Sequence, residues 1–272
     1  MSDTRSVGRW LQDQPDLDRL ERELLVCEAL SMSRAQLLAR PETALAPTAE
    51  RQLNDWAERL RRGEPLAYLT GRREFWGLCF EVSPDVLVPR PETELLLELA
   101  LTRVESGARV LDLGTGSGAI AIALALHSDA QVTAVDLSRA ALQLAARNGR
   151  RLGAAVHWLH SNWLAGVEGR YEMIVSNPPY VRAGDPHLAA LRYEPQDALV
   201  AGADGLDALR CIVRDAPAHL TPDGWLLLEH GYDQGAAVRA LLTPAGFVDV
   251  VSERDLAGHE RVTLGRYRGV RG

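Results

Sequence analysis

The chain has 272 residues, 46% of them hydrophobic and 25% charged, with 23 Gly and 14 Pro. That is enough to bury a core in one large domain or two unequal ones. A formal net charge of −7, with 30 basic residues that are all Arg and no Lys, disfavours non-specific phosphate binding and excludes a P-loop or a Schiff-base lysine. The longest apolar run, Ala119 to Leu126, is too short for a membrane span, and the first ten residues lack the apolar core of a secretory signal. Neither a membrane nor a secreted protein is expected. Cys27, Cys79 and Cys211 are widely spaced, as buried thiols in a reducing cytoplasm would be, and no His or Cys cluster has metal-ligand spacing. His157 and His160, three apart on an expected strand, should point to opposite faces.

In chain order, residues 1–72 read as a small helical domain. Leu17, Leu20, Leu24, Leu25 and Leu30 recur at helical spacing behind Asp16, a candidate N-cap. A second helix is expected over 48–62, with Leu53, Trp56, Ala57 and Leu60 on one face and Gly63 as its stop. Residues 1–75 hold 12 Arg against 13 Asp plus Glu, so this is no basic DNA-reading module. Its apolar faces should pack together and offer a surface to a protein partner. Residues 73–91 read as a hairpin and linker, with a hairpin over 74–82 turning near Gly77 and prolines 89 and 91 stiffening the approach to a helix.

Residues 92–272 form the third segment. Strands are expected at 109–113, 131–136, 155–160, 171–176, 225–230, 247–251 and 261–266, with helices over 117–127 and 138–152. Near-continuous apolar strands separated by helices predict an α/β, doubly wound (Rossmann-like), mostly parallel seven-stranded sheet. The last two strands, joined by a short loop, should pair antiparallel at its edge.

Two motifs carry chemistry. The first is Asp112-Leu113-Gly114-Thr115-Gly116-Ser117-Gly118, leading from a strand into a helix, with Asp136 ending the next strand 22 residues beyond Gly114. Glycines at such a turn let a cofactor approach the backbone, and a carboxylate at that distance accepts from ribose hydroxyls. The spacing is GxGxG, not the GxGxxG of dinucleotide sites, and Asp112 at the mouth of the loop would suit an ammonium and a sulfonium better than a pyrophosphate. S-adenosylmethionine is the expected cofactor. The second motif is Asn177-Pro178-Pro179-Tyr180 after the strand at 171–176. Prolines lack N–H groups, so this loop offers carbonyl acceptors beside the Asn177 oxygen, a site suited to an NH2 group. The Tyr180 ring could pack on a planar amide or base.

With Leu87-Val88-Pro89-Arg90-Pro91-Glu92-Thr93-Glu94 upstream, these motifs make the chain resemble the release-factor glutamine methyltransferases, the HemK family. Tyr193-Glu194-Pro195, Leu228-Glu229-His230-Gly231 and the stretch 260–266 resemble that family too. The likeness covers about residues 63–267, while the first sixty residues match in helical character and length alone. The resemblance implies a class I methyltransferase that methylates the amide nitrogen of the Gln in the Gly-Gly-Gln motif of class-one peptide chain release factors. By motif, Gly114, Thr115, Gly116, Ser117 and Gly118 would cradle the methionine part and Asp136 the ribose. Asn162 and Trp163 would meet the adenine; the family often has Asp where this chain has Asn162, whose oxygen can still accept from the adenine amino group. Asn177, Pro178, Pro179 and Tyr180 would hold the target glutamine, with Asn177 and Pro178 as the catalytic pair and Asn177 also beside the cofactor. Arg90 and Glu92 could act at the domain junction or serve in ion pairing. The loop over 181–202 should help to form the substrate groove and become ordered on binding.

Three alternatives stay open at this point: a glutamine methyltransferase of a ribosomal protein, a DNA adenine N6-methyltransferase, and a non-catalytic nucleotide-binding adaptor. The expected protein is a cytoplasmic monomer that binds no nucleic acid stably, no membrane and no metal.

Overall fold

In the computed structural model, which describes residues 5–269, five helices precede the sheet: α1 (Val7–Gln12), α2 (Arg19–Ala29), α3 (Arg34–Ala39), α4 (Pro47–Arg61) and α5 (Leu66–Thr70). They belong to one compact unit, and the chain divides from it after Arg72. Their apolar faces meet around Val7, Trp10, Leu25, Leu37, Leu45 and Leu53. The fully buried Trp10 satisfies its indole N–H by donating to Asn54 Oδ1 at 2.8 Å. On α4, Leu53, Trp56 and Ala57 are buried as their spacing predicts, Pro47 takes the first turn, and Gly63 turns the chain out at φ 85°. The cap expected at Asp16 is corrected. Asp18 caps α2, its carboxylate accepting from the Leu20 and Glu21 amides, while Asp16 pairs with Arg61 at 2.6 Å. Two Asp residues stand two positions apart, and the tertiary partner of one of them decides which becomes the cap.

The second unit begins with a hairpin, β1 (Arg72–Phe75) and β2 (Leu78–Glu81). Trp76 and Gly77 both adopt positive φ at its turn, as a tight two-residue hairpin requires. It continues through α6 (Thr93–Leu101), β3 (Arg109–Leu113), α7 (Ala119–His127), β4 (Gln131–Asp136), α8 (Arg139–Leu152), β5 (Val156–His160) and β6 (Tyr171–Ser176). Then come α9 (Asp207–His219), β7 (Leu220–Glu229), α10 (Gly235–Leu242), β8 (Phe247–Arg254) and β9 (Glu260–Tyr267). The seven strands from β3 onward form one sheet in the order β5-β4-β3-β6-β7-β9-β8. The first five run parallel, and β9 is antiparallel to both its neighbours. Thus β8 and β9 pair antiparallel as expected, but β9 inserts beside β7 and leaves β8 at the edge. Its Val262, Thr263 and Leu264 are wholly or almost wholly buried, whereas β8 is half exposed.

Alternate residues of each central strand face opposite layers. Val110, Val132, Met173 and Val175 pack with Leu96 and Leu97 of α6 and the apolar α7. Leu111, Leu113, Ile174 and Leu226 pack with Leu209 and Ile212 of α9 and Val238 of α10. The hairpin's Phe75 and Phe80 join the first layer, edge to face. The cysteines are corrected: none is buried, and Cys79 is exposed because it alternates with the inward Phe80 on β2. No helix among the described residues is long and apolar enough to cross a membrane.

Candidate active site

The sheet order reverses between β3 and β6, the place where ligands bind at the carboxyl ends of strands in open α/β folds. Register makes this concrete. Leu113 lies opposite Ser176, so the next residues, Gly114 and Asn177, leave the sheet side by side. The Ser176 hydroxyl donates to the Leu113 carbonyl at 2.7 Å and ties the two ends together. Asp136 closes β4 opposite His160 of β5. The two sequence motifs, 63 residues apart at Gly114 and Asn177, are therefore one site.

A cavity of about 470 Å³ opens there, a size suited to a small molecule. Gly114, Thr115, Gly116, Ser117, Asp136, Asn162, Trp163, Asn177 and Pro179 line it. Gly114 and Gly116 hold φ of 73° and 55°. A Cβ on Gly114 would press to 3.3 Å on the Trp163 ring, whereas none on Gly116 would meet anything within 4 Å. The loop is fastened from beneath by Gly114 and Thr115 amides donating to the Val135 carbonyl. Gly118 does not line the cavity. It caps α7 at φ 84°, and a Cβ there would touch Ile122, Ala145 and Trp158 at 3.0–3.1 Å, so packing requires the glycine.

Asp112 is also corrected. It is fully buried beneath the loop, outside the cavity lining, because both faces of β3 are covered. Its Oδ2 accepts from the Thr115 hydroxyl at 2.6 Å, and Oδ1 has no hydrogen-bond partner among the described residues. Burial pushes its carboxyl up to about 7, against the pull of Thr115. Asp136 faces the cavity and is held by the Gly116 amide at 2.9 Å and the Ser138 amide at 2.8 Å. Burial raises its carboxyl as well, and the backbone amides of Ser138, Gly116 and Leu137 oppose the rise. Asn162 is exposed on the cavity rim and Trp163 is half-buried at φ 49°. His157 and His160 are both exposed on β5, and no group of three or more His, Cys, Asp or Glu among the described residues could hold a metal.

Asn177 donates its amide N–H to Thr93 Oγ1 at 3.0 Å. Its amide oxygen accepts no hydrogen bond among the described residues. A smaller cavity of about 150 Å³ adjoins, lined by Pro178, Tyr180, Val181, Leu191 and Leu199, and it shares Leu87, Arg90, Asn177 and Ala198 with the larger one. The four loop residues thus divide: Asn177 lines both, Pro179 the larger, Pro178 and Tyr180 the smaller.

Sequence reasoning missed several members of the site. Glu194 is buried, accepts from the Val88 amide at 3.1 Å and pairs with Arg90. Arg90 is accordingly an ion-pair residue in the cavity wall, and its partner is Glu194, while Glu92 is exposed at the start of α6. Asn148 of α8 accepts from the Glu81 amide and donates to the Glu81 and Ser117 carbonyls, fastening the hairpin to the glycine loop. An Asn on the apolar face of an expected helix, followed by a Gly, was the available signal. Glu229, the last residue of β7, is 1% exposed and accepts from the Tyr180 hydroxyl at 3.3 Å. Burial pushes it up to about 7, opposed by the Thr93 and Tyr180 hydroxyls and by Arg261. Its carboxylate in turn pushes the Tyr180 phenol further up, after burial.

Residues 91–193 match the family model described as the methyltransferase small domain, and residues 9–71 the PrmC N-terminal domain. The release factor glutamine methyltransferase of Pseudomonas aeruginosa is 51% identical over 263 residues, 94% of this chain and 95% of its own length. That of Xylella fastidiosa is 50% identical over 260 residues, 93% of this chain and 94% of its own. A methyltransferase crystal structure from Pyrococcus furiosus superposes with a TM-score of 0.58 at 22% identity, covering 80% of this chain and 100% of that one, a likeness of fold.

Proposed function

The chain belongs to the release factor glutamine methyltransferase family, and on that premise we propose that it methylates the side-chain amide nitrogen of the Gln in the Gly-Gly-Gln motif of class-one peptide chain release factors. The methyl donor in this reading is S-adenosylmethionine. The observation that carries the reading is the adjacency of the glycine loop to Asn177, whose oxygen is left for an incoming N–H group.

The residues present fit the cofactor. Gly114 and Gly116 leave the backbone open to a ligand, Asp136 presents a carboxylate to the same cavity, and Trp163 adds an aromatic face. Gly114 to Ser117 would hold the methionine part, Asp136 the ribose hydroxyls, and Asn162 with Trp163 the adenine. Bound there, S-adenosylmethionine supplies a methyl group activated by a positively charged sulfonium.

The target amide nitrogen is a weak nucleophile because its lone pair is delocalised into the carbonyl. Asn177 Oδ1 and the Pro178 carbonyl accept its two N–H bonds and orient the nitrogen, a form of positioning that lowers the barrier by several kcal/mol, about 7–11 in the best cases. These oxygens also favour positive charge as it develops on nitrogen in the transition state. No strong base is needed beforehand, since the acidified amide loses a proton to water. Tyr180 packs on the planar amide. The helical unit over 1–72 docks the protein substrate, and residues 92–272, reached through the hairpin and linker at 73–91, carry out the transfer. The enzyme in this reading works as a cytoplasmic monomer without stable nucleic-acid binding, consistent with its net charge of −7.

The test is methylation of an unmodified class-one release factor with S-adenosylmethionine, read by peptide mass spectrometry beside a substrate carrying Gln→Ala in the Gly-Gly-Gln motif. One added methyl on the wild-type peptide and none on the variant is the expected result. No methyl on either, with cofactor binding measured in the same preparation, overturns the substrate assignment.

A further inference from the structure

The catalytic Asn177 must present oxygen, not its NH2 group, to the target amide, and nothing in an Asn side chain itself selects between the two orientations. The selection comes from what the other end of the amide meets. Here Nδ2 donates to Thr93 Oγ1 at 3.0 Å. Thr93 is buried at the first turn of α6, so its own hydroxyl hydrogen needs an acceptor elsewhere.

Glu229 stands where that acceptor is needed. β7 lies beside β6 with Leu228 opposite Ser176, so Glu229 and Asn177 leave adjacent strand ends. The carboxylate is 1% exposed, takes the Tyr180 hydroxyl on Oε1 at 3.3 Å, and stands at the end of β7, against which α6 with Thr93 packs. Its Oε2 is buried with no hydrogen-bond partner among the described residues. Glu229 lines neither cavity. A buried carboxylate is costly and persists only for a reason in packing or function.

We propose that Glu229 is a positioning residue: its acceptor-only carboxylate draws the hydroxyl hydrogens of both Thr93 and Tyr180, which leaves the Thr93 oxygen to accept from Asn177 Nδ2 and turns the Asn177 oxygen toward the target. One carboxylate thereby sets both ends of the Asn177–Tyr180 loop. An amide in its place would offer N–H to Thr93, reverse the chain of donors, and present NH2 of Asn177 to the substrate.

This inference rests on the methyl-transfer reading above, but its test has an independent arm. The chain has four Asn, at positions 54, 148, 162 and 177, so selective 15N-asparagine labelling gives four side-chain amide pairs. In the intact protein, the Asn177 pair, assigned by its loss in Asn177→Ala, should exchange slowly with solvent and split widely. In Glu229→Gln that pair should move and exchange faster, with Asn54 and Asn148, whose hydrogen bonds do not involve Glu229, left in place as evidence of an intact fold. On an active wild type, Glu229→Gln should lower kcat at least tenfold while S-adenosylmethionine affinity stays within twofold. Thr93→Val should do the same and Thr93→Ser should restore most of the loss. The Thr93→Val/Glu229→Gln double variant should lose little more than either single one. An unmoved Asn177 pair in Glu229→Gln overturns the proposal whether or not any methyl transfer is found. So does unchanged kcat, or a fall in cofactor affinity matching the fall in kcat. An inactive wild type with the Asn177 pair responding as expected would overturn the substrate reading alone.

Discussion

In the proposed reaction Asn177 is the residue on which the chemistry turns, because its oxygen is the acceptor left for the target amide. Asn177→Ala should lower turnover about 100-fold, the scale of losing one preorganised transition-state contact, and single-turnover methylation of the release factor measures it. In the same proposal Asp136 acts earlier, in cofactor binding. Its carboxylate is already held by two backbone amides and has further lone pairs for ribose hydroxyls. Asp136→Ala should weaken cofactor binding by about 1.5–3 kcal/mol, which calorimetry reads directly. Asp112 couples the site to stability. Its carboxyl, ordinarily near 3.8, is pushed up to about 7 in the fold, so the folded state favours the protonated form. The associated stability is present below pH 3.8 and is lost as pH rises through about 7. Asp112→Asn does not ionise, so its melting temperature should climb relative to the wild type between pH 5 and about pH 8. A constant difference across that range would contradict the assignment.

Elements meet at the carboxyl edge of the sheet, where strand ends supply side chains and the segments around them supply walls. Val88 and Arg90 precede α6, Glu194 lies over a hundred residues later, and one buried carboxylate joins them. Pro195 and Ala198, next along the chain, line the larger cavity. The loop over 181–202 is itself pinned at its base by a parallel bridge between Val181 and Val200. Glu194→Ala should cost about 1.5–3 kcal/mol of stability, since it removes hydrogen bonds to a charged group while Arg90 keeps access to water. Denaturant unfolding reads that loss. The Val88 amide, deprived of its acceptor, should exchange faster with solvent, and a protected Val88 amide in the variant would refute this role for Glu194.

For the molecule as a whole, the role proposed for the helical unit is recognition of the substrate. Leu20 and Leu24 share one face of α2 and are 47% and 38% exposed, the apolar stripe of that helix left uncovered within its own unit. If this unit docks the release factor, Leu20→Ser with Leu24→Ser should raise KM for the whole factor severalfold. kcat should hold, and methylation of a short Gly-Gly-Gln peptide should be unaffected. Equal kinetics on the intact factor would remove α2 from the docking surface.

Local chemistry left a plain record in the chain. GxGxG after an apolar strand, Asp136 at the next strand end and Asn-Pro-Pro-Tyr after another were enough to read the sheet and the cofactor type, because turns and continuous apolar strands are dictated by neighbours in sequence. α4 and the turn at Gly77 were legible for the same reason. The rest depends on residues far apart in the chain. Asp16 gave up its cap to pair with Arg61, Asp112 sank beneath the loop, β9 slipped inside β8, and Glu194 and Glu229, which the sequence offered only within family-like stretches, came to the site. A carboxylate's role is set by which donors surround it and how little water reaches it. Those conditions exist only once strands whose paired residues lie 52 and 63 positions apart have been brought edge to edge.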